Sequence, residues 1–545
     1  MAGASSSRST PIRLAEVLQR CLDGAASLSR AYDHHQVMER VARSRAWRSL
    51  LVHVAYFLAL SCAGYGLLSA IETRGPRPRA IDAFFTAVSA ATVSSMSAVE
   101  MEVFSQGQLV VLTALMFLGG EVFVSLVGLA SKWSRLRKHT TNRVGSHEEE
   151  IELGRRKASS DVFVDNEASS LTAVNGDVSS NGPVMMMAAV DAKRLRSLFF
   201  IVLGILGVVH VAGSVAVAGY IYYASPGGAR RTLRGKSLDV WTFAVFTTVS
   251  TFSSCGFMPT NENMAVFSRD APLQLLLVPQ ALVGNTLFPP LLAACVWAAR
   301  RKELLEMMTS NSNKMQGGRR SFYYYHLMPA RRCWMLAATV AAFVGVQVAL
   351  VCGMEWDGAA FRGMTAWEKL VNAVFLAVNS RHTGESTVDL STLAPAILVL
   401  FVVMMYLPPY TTWFPFEDNS TTTDYPSAES QGIRLLKTTV LSQLSYLAIF
   451  VIAICITERK KLKEDPLNFN VLSIIVEVVS AYGNVGFSMG YSCSRRINSD
   501  QLCTDKWTGF AGRWSDSGKL ILILVMFFGR LKKFSVKGGK AWKLS

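Results

Sequence analysis

Four stretches of this chain repeat one another: residues 87–100 are AVSAATVSSMSAVE, 246–259 are FTTVSTFSSCGFMP, 374–387 are VFLAVNSRHTGEST and 478–490 are VVSAYGNVGFSMG. Each opens as an apolar segment and runs into a cluster of Ser, Gly and Asn. The segments concerned, 83–96, 240–257, 370–385 and 474–488, are too short to cross hydrocarbon about 30 Å thick, which takes about 20 residues of helix. Each lies between two longer apolar runs. The eight runs cover 50–71, 109–130, 198–223, 273–299, 334–352, 393–406, 436–457 and 519–528. Irregular backbone at membrane depth is tolerated only where protein buries it or where it lines a water-filled cavity. Four copies of span, short helix, small-residue stretch and span therefore predict one pore. The fold class is an all-α polytopic membrane protein, with eight transmembrane helices and four re-entrant pore helices around a central pore.

Composition agrees with this class. Of 545 residues, 50% are hydrophobic and 17% charged, and the mean hydropathy is +0.28. A soluble protein of this size is far more polar. Lys and Arg number 55 against 39 Asp and Glu, but the basic residues flank apolar runs. They point to anionic lipid headgroups rather than to nucleic acid. Nine cysteines show no CxxC pairing, which leaves neither a zinc site nor a redox motif. Residues 1–48 hold no early apolar run with a small-residue cleavage site, so the first span is expected to act as its own insertion signal.

Charge sets the orientation. Lys132, Arg135, Arg137 and Lys138 follow the second span; Arg300, Arg301, Lys302, Arg319, Arg320, Arg331 and Arg332 follow the fourth; Arg530, Lys532 and Lys533 end the last. These belong on the cytoplasmic side, with both termini. Arg74, Arg77, Arg79, Arg230, Arg231, Arg234 and Arg459 to Lys461 break the rule, and the repeat outweighs them. The expected organisation is an N-terminal tail 1–48, repeats at 49–138, 192–302, 333–416 and 434–534, cytoplasmic loops at 303–332 and 417–433, and a tail 535–545. The stretch 139–191, rich in Ser, Asn, Gly and acidic residues, reads as a disordered cytoplasmic insertion.

A dehydrated cation must recover in the protein the oxygen ligands it gave up from water, and rings of backbone carbonyls supply them. Aiming carbonyls into a pore takes backbone angles that glycine adopts freely, which accounts for Gly256, Gly384 and Gly486. Short helices whose carboxyl ends face the pore add partial negative charge that favours cations. Any one of these glycines alone would read as a turn or a packing contact. Four copies in one setting do not.

The stretches TVSSMSAVEMEVF (92–104), STFSSCGFMPTNENM (250–264), NSRHTGE (379–385) and YGNVGFSMGYSC (482–493) closely resemble the plant high-affinity potassium transporter family, HKT, of the Trk/Ktr/HKT superfamily. The likeness runs from about residue 48 to 534, apart from the insertion. It implies four span–P-loop–span units around one pore, a homodimer with a pore in each subunit, and plasma-membrane location. Carried over, the filter comprises Val93, Ser94 and Ser95; Ser254, Cys255 and Gly256; His382, Thr383 and Gly384; and Asn484, Val485 and Gly486. The ion would be held at Ser95, Gly256, Gly384 and Gly486. In that family, serine at the first corner marks the sodium-preferring subclass, whereas glycine accompanies potassium permeation. The implied activity is passive, sodium-selective uptake, with Na+ or K+ as cargo and no cofactor. A sodium–potassium symporter or potassium-permeable transporter of the same family is the alternative. Arg530, in FFGRLKKF, resembles an arginine that narrows the pore below the filter; by its position alone it reads equally as an interface anchor.

Further residues have simpler readings. Glu100, Glu102, Glu385 and Asp389 are candidates for an outer vestibule that concentrates cations, or are solvated loop charges. Arg381 and His382 are unwelcome in a cation pore and should face away, bracing the pore helix from behind. Pro408 and Pro409 end or interrupt the sixth span, as a gate or as a plain helix end. Cys493 and Cys503 share an extracellular loop where a disulfide can form. The sequon at Asn419, Ser420 and Thr421 falls on the cytoplasmic side and should stay unglycosylated. Enzyme readings fail: GxSxG at 486–490 has no histidine after Ser488, and HExxH, GxxxxGK[ST] and GxGxxG are missing from the chain. Transport must then run without ATP hydrolysis in this polypeptide, and nucleotide is not a partner.

Overall fold

The computed structural model describes residues 50–138, 182–225, 228–309, 324–412, 443–497 and 503–534. The N-terminal tail, most of the 139–191 insertion, the 419–421 sequon and the C-terminal tail lie outside the described residues. By its contacts the chain divides into a large unit, 57–530, and a small one whose described residues are 50–56 and 531–534.

Helix α1 (Leu50–Ala70) is the first span. It is followed by a short helix α2 (Ala80–Ala91) and by a second span in two pieces, α3 (Gln106–Gly119) and α4 (Glu121–Lys138), bent by 57°. The second repeat consists of α5 (Gly182–Gly219), the connecting helix α6 (Ala229–Gly235), short helix α7 (Val240–Phe252), and α8 (Ala271–Gly284) with α9 (Phe288–Ala298), bent by 82°. After α10 (Lys302–Thr309), the third repeat has α11 (Ala330–Glu355), α12 (Ala366–Asn379) and α13 (Pro395–Tyr406). The fourth has α14 (Gln443–Thr457), α15 (Arg459–Glu464), α16 (Val471–Gly483) and α17 (Asp516–Phe534). Span, short helix, turn and span thus recur four times. The final stretch of the predicted insertion departs from the sequence reading: residues 182–191 belong to α5, whose Arg194 pairs with Asp191 at 3.5 Å.

Among the described residues, three helices are long and apolar enough to cross a membrane unaided, and five if each bent pair counts as one span. In the first and second repeats the second span breaks where its backbone touches the end of its own short helix, and in the fourth α17 passes the same kind of contact unbroken. A Cβ placed on Gly119 would lie 2.0 Å from the Ala91 carbonyl oxygen, one on Gly284 2.0 Å from that of Phe252, and one on Gly529 2.0 Å from that of Tyr482. Only glycine allows such an approach. In the third repeat, Pro408 and Pro409 follow the end of α13 instead, and proline cannot continue a helix.

Burial is inverted relative to a soluble protein. Val52, Val208, Val211 and Ile456 are more than half exposed on the helices' outer faces, while Thr247, Thr248, Ser250, Thr251, Asn379 and Ser380 of the short helices and their caps are fully buried. Apolar faces outward and polar groups inward are what a lipid solvent selects. Inside, one apolar core joins the third and fourth repeats around Leu376, Phe401, Phe487 and Val525. A second joins the first and second around Phe243, Phe246, Leu112 and Met116.

Candidate functional site

Each short helix runs on into a tight turn, and the four turns converge. Serines in the helices close three of them: the Ser94, Cys255 and Val485 N–H groups donate to the carbonyls of Ser89, Ser250 and Ser480 at 2.8, 2.9 and 3.0 Å, while the Ser89 hydroxyl accepts the Met96 N–H at 2.7 Å and the Ser480 hydroxyl the Gly486 N–H at 2.9 Å. These bonds use the carbonyls that a helix end leaves unpaired.

The backbone alternates beyond each helix end. Val93, Ser254 and Asn484 are left-handed, with φ of 51°, 60° and 51°; two residues later so are Ser95 (54°), Gly256 (87°) and Gly486 (109°). A left-handed residue at every second position turns successive carbonyls towards one side, the arrangement a cation requires. In the third turn only Gly384 (70°) is left-handed, and its own N–H, rather than that of the preceding residue, reaches back five positions to Asn379. The Thr383 hydroxyl donating to the Asn379 amide oxygen stiffens that turn.

Ser95, Gly256, Gly384 and Gly486 form a closed ring. A Cβ on Gly256 would lie 1.6 Å from the Thr383 carbonyl oxygen and 3.3 Å from Ser95 Oγ. One on Gly384 would lie 2.4 Å from the Val485 oxygen, and one on Gly486 2.2 Å from the Ser95 Cβ. Every corner touches both neighbours, and the Ser95 side chain occupies the space beside Gly486. The Asn484 amide ties the first and fourth corners through Ser94 Oγ at 2.8 Å, and also reaches the Met526 carbonyl at 3.3 Å.

Arg381 and His382 do face away from the ring. The Arg381 guanidinium donates to the Pro408 and Pro409 carbonyls at 2.6 and 3.2 Å and lies over the Phe343 ring at 5.2 Å. The His382 ring shares a hydrogen bond with Thr286 Oγ1 at 2.7 Å, in the break between α8 and α9. Arg530 is 1% exposed, donates to the Gly119 carbonyl at the break of the first repeat, and stands 5.6 Å from the Phe57 ring. A headgroup anchor would be exposed, so Arg530 belongs to the interior.

The acidic candidates divide. Asp389 is exposed and caps a short turn by accepting the Ser391 N–H at 2.9 Å. Glu100 accepts the Trp507 N–H at 3.1 Å. Glu102 forms an ion pair with Lys236 at 2.6 Å, which Glu262 shares at the same distance. Burial opposes the Lys236 charge, yet the two carboxylates outweigh it and hold its pKa above the ordinary lysine range. Glu385 departs from the vestibule expectation: it is fully buried and its Oε1 accepts the Thr251 hydroxyl at 2.6 Å. Cys493 and Cys503 form a disulfide, with Cα atoms 5.9 Å apart. The sequence reading missed Lys519, fully buried and 2.5 Å from Asp82 at the start of α2. The pair joins residues 437 positions apart, and local sequence carries no signal for it.

Comparison with known proteins follows this geometry. The family model for TrkH, a cation transport protein, matches residues 184–413 and 419–537. The chain belongs to this family. Among plant members it is 70% identical over 505 residues to the probable cation transporter HKT1;4 of Oryza sativa subsp. japonica, covering 92% of this chain and 99% of that protein. It is 43% identical over 472 residues to the sodium transporter HKT1 of Arabidopsis thaliana, covering 86% and 89%. The potassium transporter TrkH of Vibrio parahaemolyticus shares 16% identity, with a TM-score of 0.48 over 89% of this chain and 83% of that one. The chain is therefore an HKT-type membrane cation transporter and not an enzyme.

Proposed function

We propose that this member of the family is a passive, channel-like, sodium-selective transporter of the plasma membrane, acting as a homodimer with one pore per subunit and both termini cytoplasmic. The ring of Ser95, Gly256, Gly384 and Gly486 is its selectivity filter, and Arg530 narrows the path beneath it. One observation carries the sodium assignment: the Ser95 side chain fills the space between the first corner and its neighbours, its Cβ where a side chain on Gly486 would have to go and its Oγ close to where one on Gly256 would lie. A larger ion needs a wider, more evenly spaced set of carbonyls, and a hydroxyl in that space shortens the reach to a smaller one. The name of the Arabidopsis relative, a sodium transporter, supports the same choice.

Two-electrode recording in oocytes, with external sodium and potassium exchanged, tests it. The native reversal potential should follow sodium, and Ser95→Gly should bring the potassium permeability up by about tenfold, roughly 1.4 kcal/mol of discrimination. A native reversal potential that follows potassium equally well overturns the sodium assignment. A sodium current that climbs steeply with external potassium supports the coupled symporter in its place.

A further inference from the structure

Glu385 directly follows the ring residue Gly384, and its carboxylate is fully buried. Oε1 is held by the Thr251 hydroxyl at 2.6 Å, and Oε2 has no hydrogen-bond partner among the described residues. A buried carboxylate is normally paired with a cation or bound by several donors. Neither holds here. Among the described residues no basic side chain forms an ion pair with it. Arg381, four positions earlier, turns its guanidinium to the Pro408 and Pro409 carbonyls, and Lys519 is taken by Asp82. The second and third corners meet where Gly256 abuts the Thr383 carbonyl. Thr251, in the last turn of α7 five residues before Gly256, and Glu385, the residue after Gly384, bind each other and so join the same two repeats.

We propose that the counter-charge of Glu385 is the cation held in the ring. The carboxylate fixes a negative charge where the second and third repeats join, and so raises cation affinity at the filter. This rests on the ring being the ion-binding site; it does not depend on which monovalent cation is preferred. The opposite seam, between the first and fourth corners, is tied by the neutral Asn484–Ser94 pair.

The test measures the half-saturating cation concentration of the full chain in oocytes, separately for Na+ and K+, at constant ionic strength with an impermeant organic cation as replacement, so that surface screening stays fixed. Glu385→Gln keeps shape and the acceptor for Thr251 but removes the charge. It should raise the half-saturating concentration about tenfold for whichever ion the native chain conducts, the effect of one partly screened charge. Glu385→Asp keeps the charge and should lie between the native chain and Gln. Surface biotinylation accompanies each variant. A Gln variant that reaches the surface without current, beside a conducting Asp variant, also supports the proposal. It is overturned by a native value in Glu385→Gln, by Gln and Asp variants raised equally, or by both variants missing from the surface. Should the native chain prove potassium-permeable, the sodium assignment fails while the Glu385 effect is still read in both ions.

Discussion

At the scale of the residue, the ring shows how one backbone requirement yields different side-chain choices. Ser95 takes the same left-handed conformation as its three glycine counterparts, at φ 54°. A side chain there costs about 1–2 kcal/mol. The structure tolerates it because Gly486 leaves room opposite. Two glycines with positive φ separate strain from crowding. Gly256→Ala puts a Cβ 1.6 Å from the Thr383 oxygen and should abolish current at normal surface abundance. Gly490→Ala, at φ 60° with nothing within 4 Å of its Cβ, should cost only about 1 kcal/mol and leave the reversal potential unchanged. Equal loss in both would mean that left-handed strain, not contact at the corner, decides function.

At the scale of the element, the breaks in the second spans organise the interior. The third turn is tied to two of them, through His382 to Thr286 between α8 and α9 and through Arg381 to the Pro408 and Pro409 carbonyls after α13, while Arg530 of α17 reaches Gly119 at the break after α3. Beyond Pro409 the chain is held by Tyr410, whose hydroxyl is 2.7 Å from the His326 ring nitrogen, with Tyr324 and Phe288 packed edge-on against that ring. Burial pushes the His326 pKa below the ordinary histidine value, against an opposing pull from Glu121. The folded state keeps this imidazole neutral, whereas the unfolded chain takes up a proton below about pH 6.5. Stability is then lost as pH falls through that value. Thermal unfolding of the purified protein should show a melting temperature that declines from pH 7.5 to 5.5, and His326→Gln should flatten the decline. An identical slope in the variant would remove His326 as the cause.

At the scale of the whole molecule, each repeat is latched at its outer end, where one span hands over to the next. Gln108 donates to the Leu68 and Ile71 carbonyls at 2.8 and 3.1 Å, and Tyr220 and Ser225 donate to Asp270. Glu355 accepts the Ala394 N–H at 2.7 Å, and Glu458 the Ser515 N–H at 2.8 Å. A carboxylate at a helix N-terminus is favoured by the unpaired N–H groups there. Glu458, with 1% of its side chain exposed, also pairs with Lys461 at 2.9 Å. Glu458→Ala should cost about 3 kcal/mol and Glu458→Gln about 1 kcal/mol, both visible as lower melting temperatures with unchanged ion selectivity. A shifted reversal potential in either would mean that the latch reaches the ring.

The sequence by itself was enough for the membrane class, the fourfold repeat and the short helices, because lipid demands long apolar runs and the repeat leaves local marks; the positions it singled out, Ser95, Gly256, Gly384 and Gly486, are ones the fold brings together in left-handed conformation. Residue type also foretold that Arg381 and His382 turn away from the ring, as a fixed positive charge would oppose the proposed cation path. Tertiary structure alone decided what those side chains hold instead, that Gly119, Gly284 and Gly529 of the second spans meet carbonyls of another helix, and that Lys519 answers Asp82. It also moved Glu385 from the vestibule to the interior. Burial and pairing depend on what distant repeats bring to a point, and a carboxylate beside a glycine carries no mark of whether water or Thr251 will meet it.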